Sequence, residues 1–215
     1  MRLAGQSPLL TIGVLADTHV PDRMRELHPQ VMPLFRAAGV SHILHAGDVC
    51  HPDVITALES IAPVSAVRGN RDWLLPHLPL AQMLEFGGVN VALMHGHGNF
   101  RRYLRDKLTF IFRRYNVLSY LKLLTTSLPA AQVVIYGHTH HPELLWQGGK
   151  LLFNPGSASH GIFPHRPPMM GLLHIYAHCQ FGAEFVMLEG YRAKRRSWLP
   201  VPTYSPIIAP AEKKD

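Results

Sequence analysis

The chain has 215 residues, 47% of them hydrophobic and 16% charged, which is enough apolar material for a sizeable core in one domain. That balance excludes disorder throughout, a collagen-like chain and a coiled coil. The formal charge of +7 is unevenly placed: residues 99–126 carry seven Lys/Arg against one acid, residues 190–215 carry six against two, and the remainder is mildly acidic at eight against eleven.

The first apolar run, Leu9–Ala16, is far short of the roughly 18 residues of a membrane span. It has no basic flank or small-residue cleavage site and runs straight into Asp17, so it reads as a buried strand, not an export signal. In chain order the predicted strands are Leu10–Ala16, His42–His45, Val64–Arg68, Gln82–Phe86, Val89–His95, Gln132–Tyr136, Glu143–Trp146, Lys150–Phe153, Gly171–Tyr176 and Glu184–Leu188. Gly87-Gly88 and Gly148-Gly149 separate strand pairs as hairpin turns. Helices are predicted at Pro29–Ala38 and Pro52–Ile61, each opening on proline. Two early β–α–β passages followed by hairpins indicate a mixed α/β (α+β) arrangement with helices outside the sheets. Residues 1–190 read as a single domain.

Residues 99–126 have a different texture. Phe100, Tyr103, Leu104, Leu108, Ile111, Phe112 and Tyr115 recur at helical spacing between arginines, which predicts a basic helix or helical hairpin inserted in the domain. Three roles stay open: a packed helix or subunit interface, a cap that draws anionic substrate to the site, and a membrane or nucleic-acid surface. Nucleic acid ranks low because the aromatics are spaced as a helix face. Residues 191–215, basic and then proline-rich, read as a C-terminal arm without its own core and as a second route to a homo-oligomer. Cys50 and Cys179 make no disulfide framework, and a reducing cytoplasm is the expected location.

Five short polar clusters follow apolar runs: Asp17-Thr18-His19, Gly47-Asp48, Gly69-Asn70-Arg71-Asp72, His95-Gly96-His97 and Gly137-His138-Thr139-His140. Strand ends are where side chains from neighbouring strands converge on ligands. Asp, Asn and His together suit divalent Mn, Fe or Zn better than a soft thiolate site would. Residues two apart in an extended segment point the same way, so Asp17 and His19 are expected to share an ion. His138 and His140 are expected to serve one ion or two adjacent ones, and Asp48 offers a carboxylate able to bridge. Two cations about 3.5–4 Å apart can clamp a phosphoryl group and acidify a water for in-line attack. Cys50 reads as a buried thiol outside the ligand set.

D-x-H, G-D, G-N-x-D, H-G-H and G-H-T-H, in that order, resemble the calcineurin-like metallophosphoesterase superfamily. With Asn154-Pro155-Gly156-Ser157 the chain looks most like its compact YfcE-type phosphodiesterases. The resemblance implies a two-sheet β-sandwich flanked by helices with a dinuclear site at one end. Carried over by position, Asp17, His19, Asp48 and His140 would bind one metal and Asp48, Asn70, His95 and His138 the second. It further implies hydrolysis of small phosphodiester substrates by a metal-activated hydroxide, with Mn ahead of Fe, Zn or Ni. Phosphomonoesters or nucleotides are the runner-up substrates. The rival from outside enzymology is a protein-interaction scaffold, as in the retromer subunit of eukaryotes that resembles this fold.

The sequence departs from the family pattern at Arg71, where many members have histidine. Arginine stays charged and donates no proton at neutral pH. It is expected either to stabilise phosphoryl oxygens or to pair with a nearby carboxylate such as Asp72. Asp72 itself is expected to orient a metal ligand or Arg71. His97 either faces the substrate or hydrogen-bonds its loop. The Asn154–Ser157 segment is a family-typical turn first, and a source of backbone groups at the site second.

Overall fold

The computed structural model describes residues 6–97, 130–159 and 167–201. The predicted helical insert at 99–126 and the end of the arm lie outside them. Two five-stranded sheets face each other. The first contains β1 (Leu10–Leu15), β2 (His42–His45), β3 (Val64–Ala66), β9 (Met169–Ile175) and β10 (Phe181–Met187), in the order β10-β9-β1-β2-β3. The second contains β4 (Ala81–Phe86), β5 (Val89–Met94), β6 (Val133–Ile135), β7 (Glu143–Gln147) and β8 (Lys150–Asn154), in the order β4-β5-β6-β8-β7.

The inner faces meet through Ile12, Val14, Leu44, Val91, Leu93, Val133, Ile135, Phe153 and Leu173, all fully buried. Helices α1 (Val31–Ala37) and α2 (Pro52–Glu59) cover the outer face of the first sheet. Phe35 of α1 and Val54 and Leu58 of α2 meet Leu15 and Ile43 there, the last pair of helical positions being one turn apart on a single face. Pro33 is tolerated in α1 because it sits in the first turn, where backbone N–H groups have no helical partner anyway. Pro52 opens α2 behind an N-cap at His51, whose Nδ1 accepts from the Asp53 N–H. Among the described residues no helix is long and apolar enough to cross a membrane.

Both β–α–β passages are realised: β1, β2 and β3 run parallel. In the second sheet β5, β6 and β8 are also parallel to one another. The two glycine pairs close the β4–β5 and β7–β8 hairpins, with Phe86 opposite Val89 and Gln147 opposite Lys150. All four glycines have positive φ, the geometry that matches the twist of two-residue hairpins.

Several boundaries differ from the sequence expectation. β3 ends at Ala66, two residues early, because the chain turns there toward Gly69. β10 begins at Phe181, three residues before the predicted start, since its Gly182 and Ala183 pair with β9 despite low strand propensity. Residues 191–200, expected as an extended arm, form a hairpin of β11 (Tyr191–Lys194) and β12 (Ser197–Pro200). The side chain of Trp198 accounts for this, being 7% exposed with its Nε1–H donating to the Glu26 carbonyl at 3.1 Å.

Candidate metal centre

The C-terminal ends of β1, β2, β3, β5, β6 and β8 all deliver residues to one rim of the sandwich. Asp17 and His19 follow β1, Asp48 follows β2, and Asn70 to Asp72 follow β3. His95 and His97 follow β5, His138 and His140 follow β6, and the Asn154 turn follows β8. The chain does not continue extended there. Asp17, His19, Asp48, His138 and His140 all have φ between 50° and 70°, the left-handed region. For residues with a Cβ that conformation costs about 1–2 kcal/mol each, and such strain gathers at functional sites. Asp17 and His19 therefore converge through tight left-handed turns, not through the extended alternation expected from D-x-H.

The donors form two adjacent groups: Asp48 reaches both, and Asp17, clustered with His19 and His140, also lies within 4.8 Å of Asp48 and His95. On one side His19 Nε2 lies 3.2 Å from His140 Nε2, 3.8 Å from Asp17 Oδ1 and 3.6 Å from Asp48 Oδ2, with His140 Nε2 3.4 Å from Asp17 Oδ1. On the other, His95 Nε2 lies 3.5 Å from Asp48 Oδ1 and 3.1 Å from Asn70 Oδ1, and His138 Nδ1 lies 3.0 Å from the same Asn70 oxygen. His138 and His140 thus face different groups. Donors about 2.0–2.2 Å from a common ion stand roughly 3.0–3.5 Å from one another, and these atoms stand 3.0–3.8 Å apart, the His19 contacts to Asp17 and Asp48 being the longest.

The protonation pattern fits a cation. His95 Nδ1 lies 2.7 Å from the Ala46 carbonyl, so that nitrogen carries the proton and Nε2 turns a lone pair toward Asp48 and Asn70. Burial holds His95, His138 and His140 down to about 3 and, with help from the Arg23 charge, His19 down to about 2. The rings are neutral donors at pH 7. Burial raises Asp48, and burial together with the Asp48 charge raises Asp17, well above the ordinary carboxylate range. Asp17 Oδ1, fully buried, has no hydrogen-bond partner among the described residues. Buried carboxylates flanked by neutral imidazoles need a positive charge that these side chains do not supply, so the residues fit divalent metal.

The surrounding residues fix the loops. Asp72, 3% exposed, accepts backbone N–H bonds from Gly69 at 2.6 Å, Cys50 at 2.7 Å and Asp48 at 3.0 Å, tying the second cluster to the third. A Cβ on Gly69 would lie 2.2 Å from Asp48 Oδ1 and 2.3 Å from Asp48 N, so only glycine permits this approach. The Asn154–Ser157 turn supports two clusters at once. Asn154 Nδ2 donates to the Gly137 carbonyl at 3.1 Å and to Thr139 Oγ1 at 2.9 Å, and Ser157 Oγ donates to the Asp17 carbonyl at 2.8 Å. His45 Nε2 lies 3.1 Å from Thr18 Oγ1 between the first two clusters.

All seven expected ligands, Asp17, His19, Asp48, Asn70, His95, His138 and His140, come together. The Arg71 N–H donates to Asp48 Oδ1 at 2.8 Å. Its guanidinium pairs with Asp22 at 2.6 Å rather than with Asp72, whose oxygens are taken by backbone donors. The His97 ring lies 5.3 Å from His95 and 6.3 Å from His138, and its buried Nδ1 has no partner among the described residues. Cys50 is buried as expected, with Sγ 3.9 Å from His19 Nδ1. Asp22 is the residue that sequence reading missed. Its one signal is its position three residues after His19, and V-P-D-R otherwise reads as plain loop.

A sandwich of mixed sheets whose parallel strands end on buried Asp and His groups presents a candidate metal centre at one rim. Residues 10–177 match the calcineurin-like phosphoesterase superfamily domain, and the chain belongs to that superfamily. A probable metallophosphoesterase of Methanothermobacter thermautotrophicus is 37% identical over 149 residues, covering 69% of this chain and 77% of that protein. Vacuolar Protein Sorting 29 from Cryptosporidium parvum shares the fold at a TM-score of 0.64 and 20% identity, over 82% of this chain and 96% of that one. A structure described as a novel archaeal phosphodiesterase does so at 0.57 and 22% identity, over 82% and 100%.

Proposed function

We propose that this chain hydrolyses small phosphodiesters with two divalent cations, manganese ahead of iron, zinc or nickel. The observation that carries the reading is the placement of Asp48, with Oδ2 3.6 Å from His19 and Oδ1 3.5 Å from His95, one oxygen for each donor group. In this assignment Asp17, His19, Asp48 and His140 hold one ion, and Asp48, Asn70, His95 and His138 hold the other. Ions bound there supply Lewis-acid stabilisation of phosphoryl oxygens and acidify a water for in-line attack.

The side chains supply the rest. Asp17 and Asp48 balance the cationic charge, while Asp72 and Ser157 keep the ligand loops in register. Arg71 binds phosphoryl oxygens but gives up no proton. His97, lowered by burial and neutral at pH 7, is the imidazole assigned to proton handling beside the ligands. With arginine where many relatives have histidine, esters whose leaving groups depart as stabilised anions react fastest. Diester preference is supported by the likeness of the motif set to compact phosphodiesterases. The fold shared with Vacuolar Protein Sorting 29 favours a second reading, a protein-binding scaffold, which predicts no turnover.

The test compares bis(p-nitrophenyl) phosphate with p-nitrophenyl phosphate, using protein stripped of metal and reloaded with Mn, beside His138→Ala. Metal-dependent diester turnover, faster than monoester turnover and lost in the variant, is expected. Faster monoester turnover moves the chain to the phosphomonoesterases. No turnover of either ester and no tight metal binding leaves the scaffold.

A further inference from the structure

We propose that Asp22 is a positioning residue that aims the Arg71 guanidinium across the rim of the metal centre and orients His19 from behind. The inference rests on the phosphoesterase reading above and adds a residue to it. Asp22 Oδ2 lies 2.6 Å from Arg71 Nη2 and 3.8 Å from His19 Nδ1. The opposite nitrogen of the His19 ring, Nε2, faces Asp17, Asp48 and His140. One carboxylate oxygen therefore stands behind a metal-ligating imidazole and beside the arginine that replaces the family's histidine. Negative charge next to Nδ1 favours the proton there and leaves the Nε2 lone pair for the ion, as outer carboxylates do for metal-bound histidines.

Asp22 does not ride on a free loop. The N–H groups of Arg23 and Met24 both donate to the His19 carbonyl, at 2.8 and 3.3 Å. The β11–β12 hairpin grips the segment on both sides of Asp22. The Arg196 guanidinium donates to the Pro21 carbonyl, the Arg25 N–H donates to the Arg196 carbonyl at 2.8 Å, and Trp198 donates to Glu26. The Trp198 ring also packs on buried His28, centroids 4.4 Å apart. The C-terminal hairpin, read from sequence as an arm, thereby fixes the place of a carboxylate at the site.

Arg71 is anchored in its main chain by the bond to Asp48, but its side chain is 47% exposed and has many rotamers to choose from. The pair with Asp22 uses Nη2, and a guanidinium carries five N–H donors, so others are left for the oxygens of a phosphate. An ordinary surface pair between such groups does little. What distinguishes this one is that both ends lead to Asp48 and its ligands: Arg71 through its N–H, Asp22 through His19.

The test is binding of inorganic phosphate to the Mn-loaded protein by calorimetry, for wild type, Asp22→Ala, Asp22→Asn, Arg71→Ala and the Asp22→Ala/Arg71→Ala double variant. Metal content and melting temperature are measured on each. At saturating Mn, Asp22→Ala is expected to weaken phosphate about five- to tenfold, Asp22→Asn to fall between it and wild type, and the double variant to match Arg71→Ala in phosphate affinity because the two residues act as a unit, while a chelator competition shows weaker Mn affinity in Asp22→Ala but not in Arg71→Ala. In turnover of bis(p-nitrophenyl) phosphate the loss should appear chiefly in KM. Phosphate affinity within twofold of wild type in Asp22→Ala, or losses that multiply in the double variant, overturns the proposal while leaving the phosphoesterase reading intact. Wild type that binds metal but no phosphate overturns the proposal and leaves the phosphoesterase reading intact if bis(p-nitrophenyl) phosphate is still hydrolysed; no phosphate binding and no turnover overturns both.

Discussion

Asp72→Ala removes one side chain and strands three backbone donors. The N–H groups of Gly69, Cys50 and Asp48 all end on its carboxylate, at 2.6, 2.7 and 3.0 Å, in a place where Asp72 is 3% exposed. A buried donor left without an acceptor costs about 1–3 kcal/mol. Water entering the vacated space recovers part of that, so the metal-stripped variant should lose about 3–5 kcal/mol of unfolding free energy. Asp72→Asn separates the contributions. Gly69 and Asp48 both bond to Oδ2, and the amide oxygen can replace it, while the amide nitrogen would confront the Cys50 N–H. Asn should therefore cost about 1–3 kcal/mol, the loss of one bond plus a donor–donor contact. Because these bonds set the backbone of Asp48 and Gly69-Asn70, metal affinity should fall about 10–100-fold in the alanine variant. Urea denaturation of stripped protein and competition with a chelating dye measure the two quantities. Both variants within about 0.5 kcal/mol of wild type, with metal affinity unchanged, would refute the assignment of Asp72 as the tie between the clusters.

Gly69→Ala should abolish tight metal binding while leaving a folded, destabilised chain. Its Cβ would sit 2.3 Å from the backbone nitrogen of Asp48, a clash that no side-chain rotation relieves. The cost is about 1–3 kcal/mol in stability, read from the melting of stripped protein, and an unchanged metal titration contradicts it. Acid should weaken the stripped protein through His45, which burial lowers to about 3 from an ordinary 6.5. Between those values the unfolded chain binds the proton and the folded chain does not. The His45 contribution is thus complete above about pH 6.5 and shrinks by up to about 1.4 kcal/mol per unit as pH falls toward 3. Asp17 and Asp48, raised by burial, act with the opposite sign, so the difference between wild type and His45→Gln is the quantity to follow. A difference that stays constant from pH 7.5 to 5 would show that His45 is not held neutral.

The candidate ligands were legible because each sits just past an apolar run, where strand period gives way to a short polar cluster. Glycine pairs at 87–88 and 148–149 marked their hairpins because two-residue turns demand that conformation. What the sequence concealed was conformation at the strand ends. Nothing in D-x-H announces that Asp17 and His19 are left-handed, since φ is imposed there by tertiary contacts. Asp72 was expected to hold a ligand or Arg71, but its targets are backbone N–H groups, which carry no residue identity. Asp22 was missed because its close partner, Arg71, lies on another loop 49 positions away and leaves no local pattern, while its i,i+3 relation to His19 looks like ordinary loop sequence. The hairpin at 191–200 was hidden by its basic composition. Its stabilising contacts are made by Trp198 and Arg196 to residues more than 170 positions earlier, which no window along the chain can register.

The proposed function requires Asp48 to join two cation sites in one reacting centre. The measurement that tests it most directly is the number of Mn ions retained per chain after stripping, reloading and gel filtration, in wild type and in Asp48→Asn, with bis(p-nitrophenyl) phosphate turnover followed on the same samples. Two ions per wild-type chain are expected, and in the variant one ion or fewer with turnover reduced by about 100-fold or more. Wild type that retains less than one ion, or an Asp48→Asn protein that binds and turns over like wild type, would contradict it.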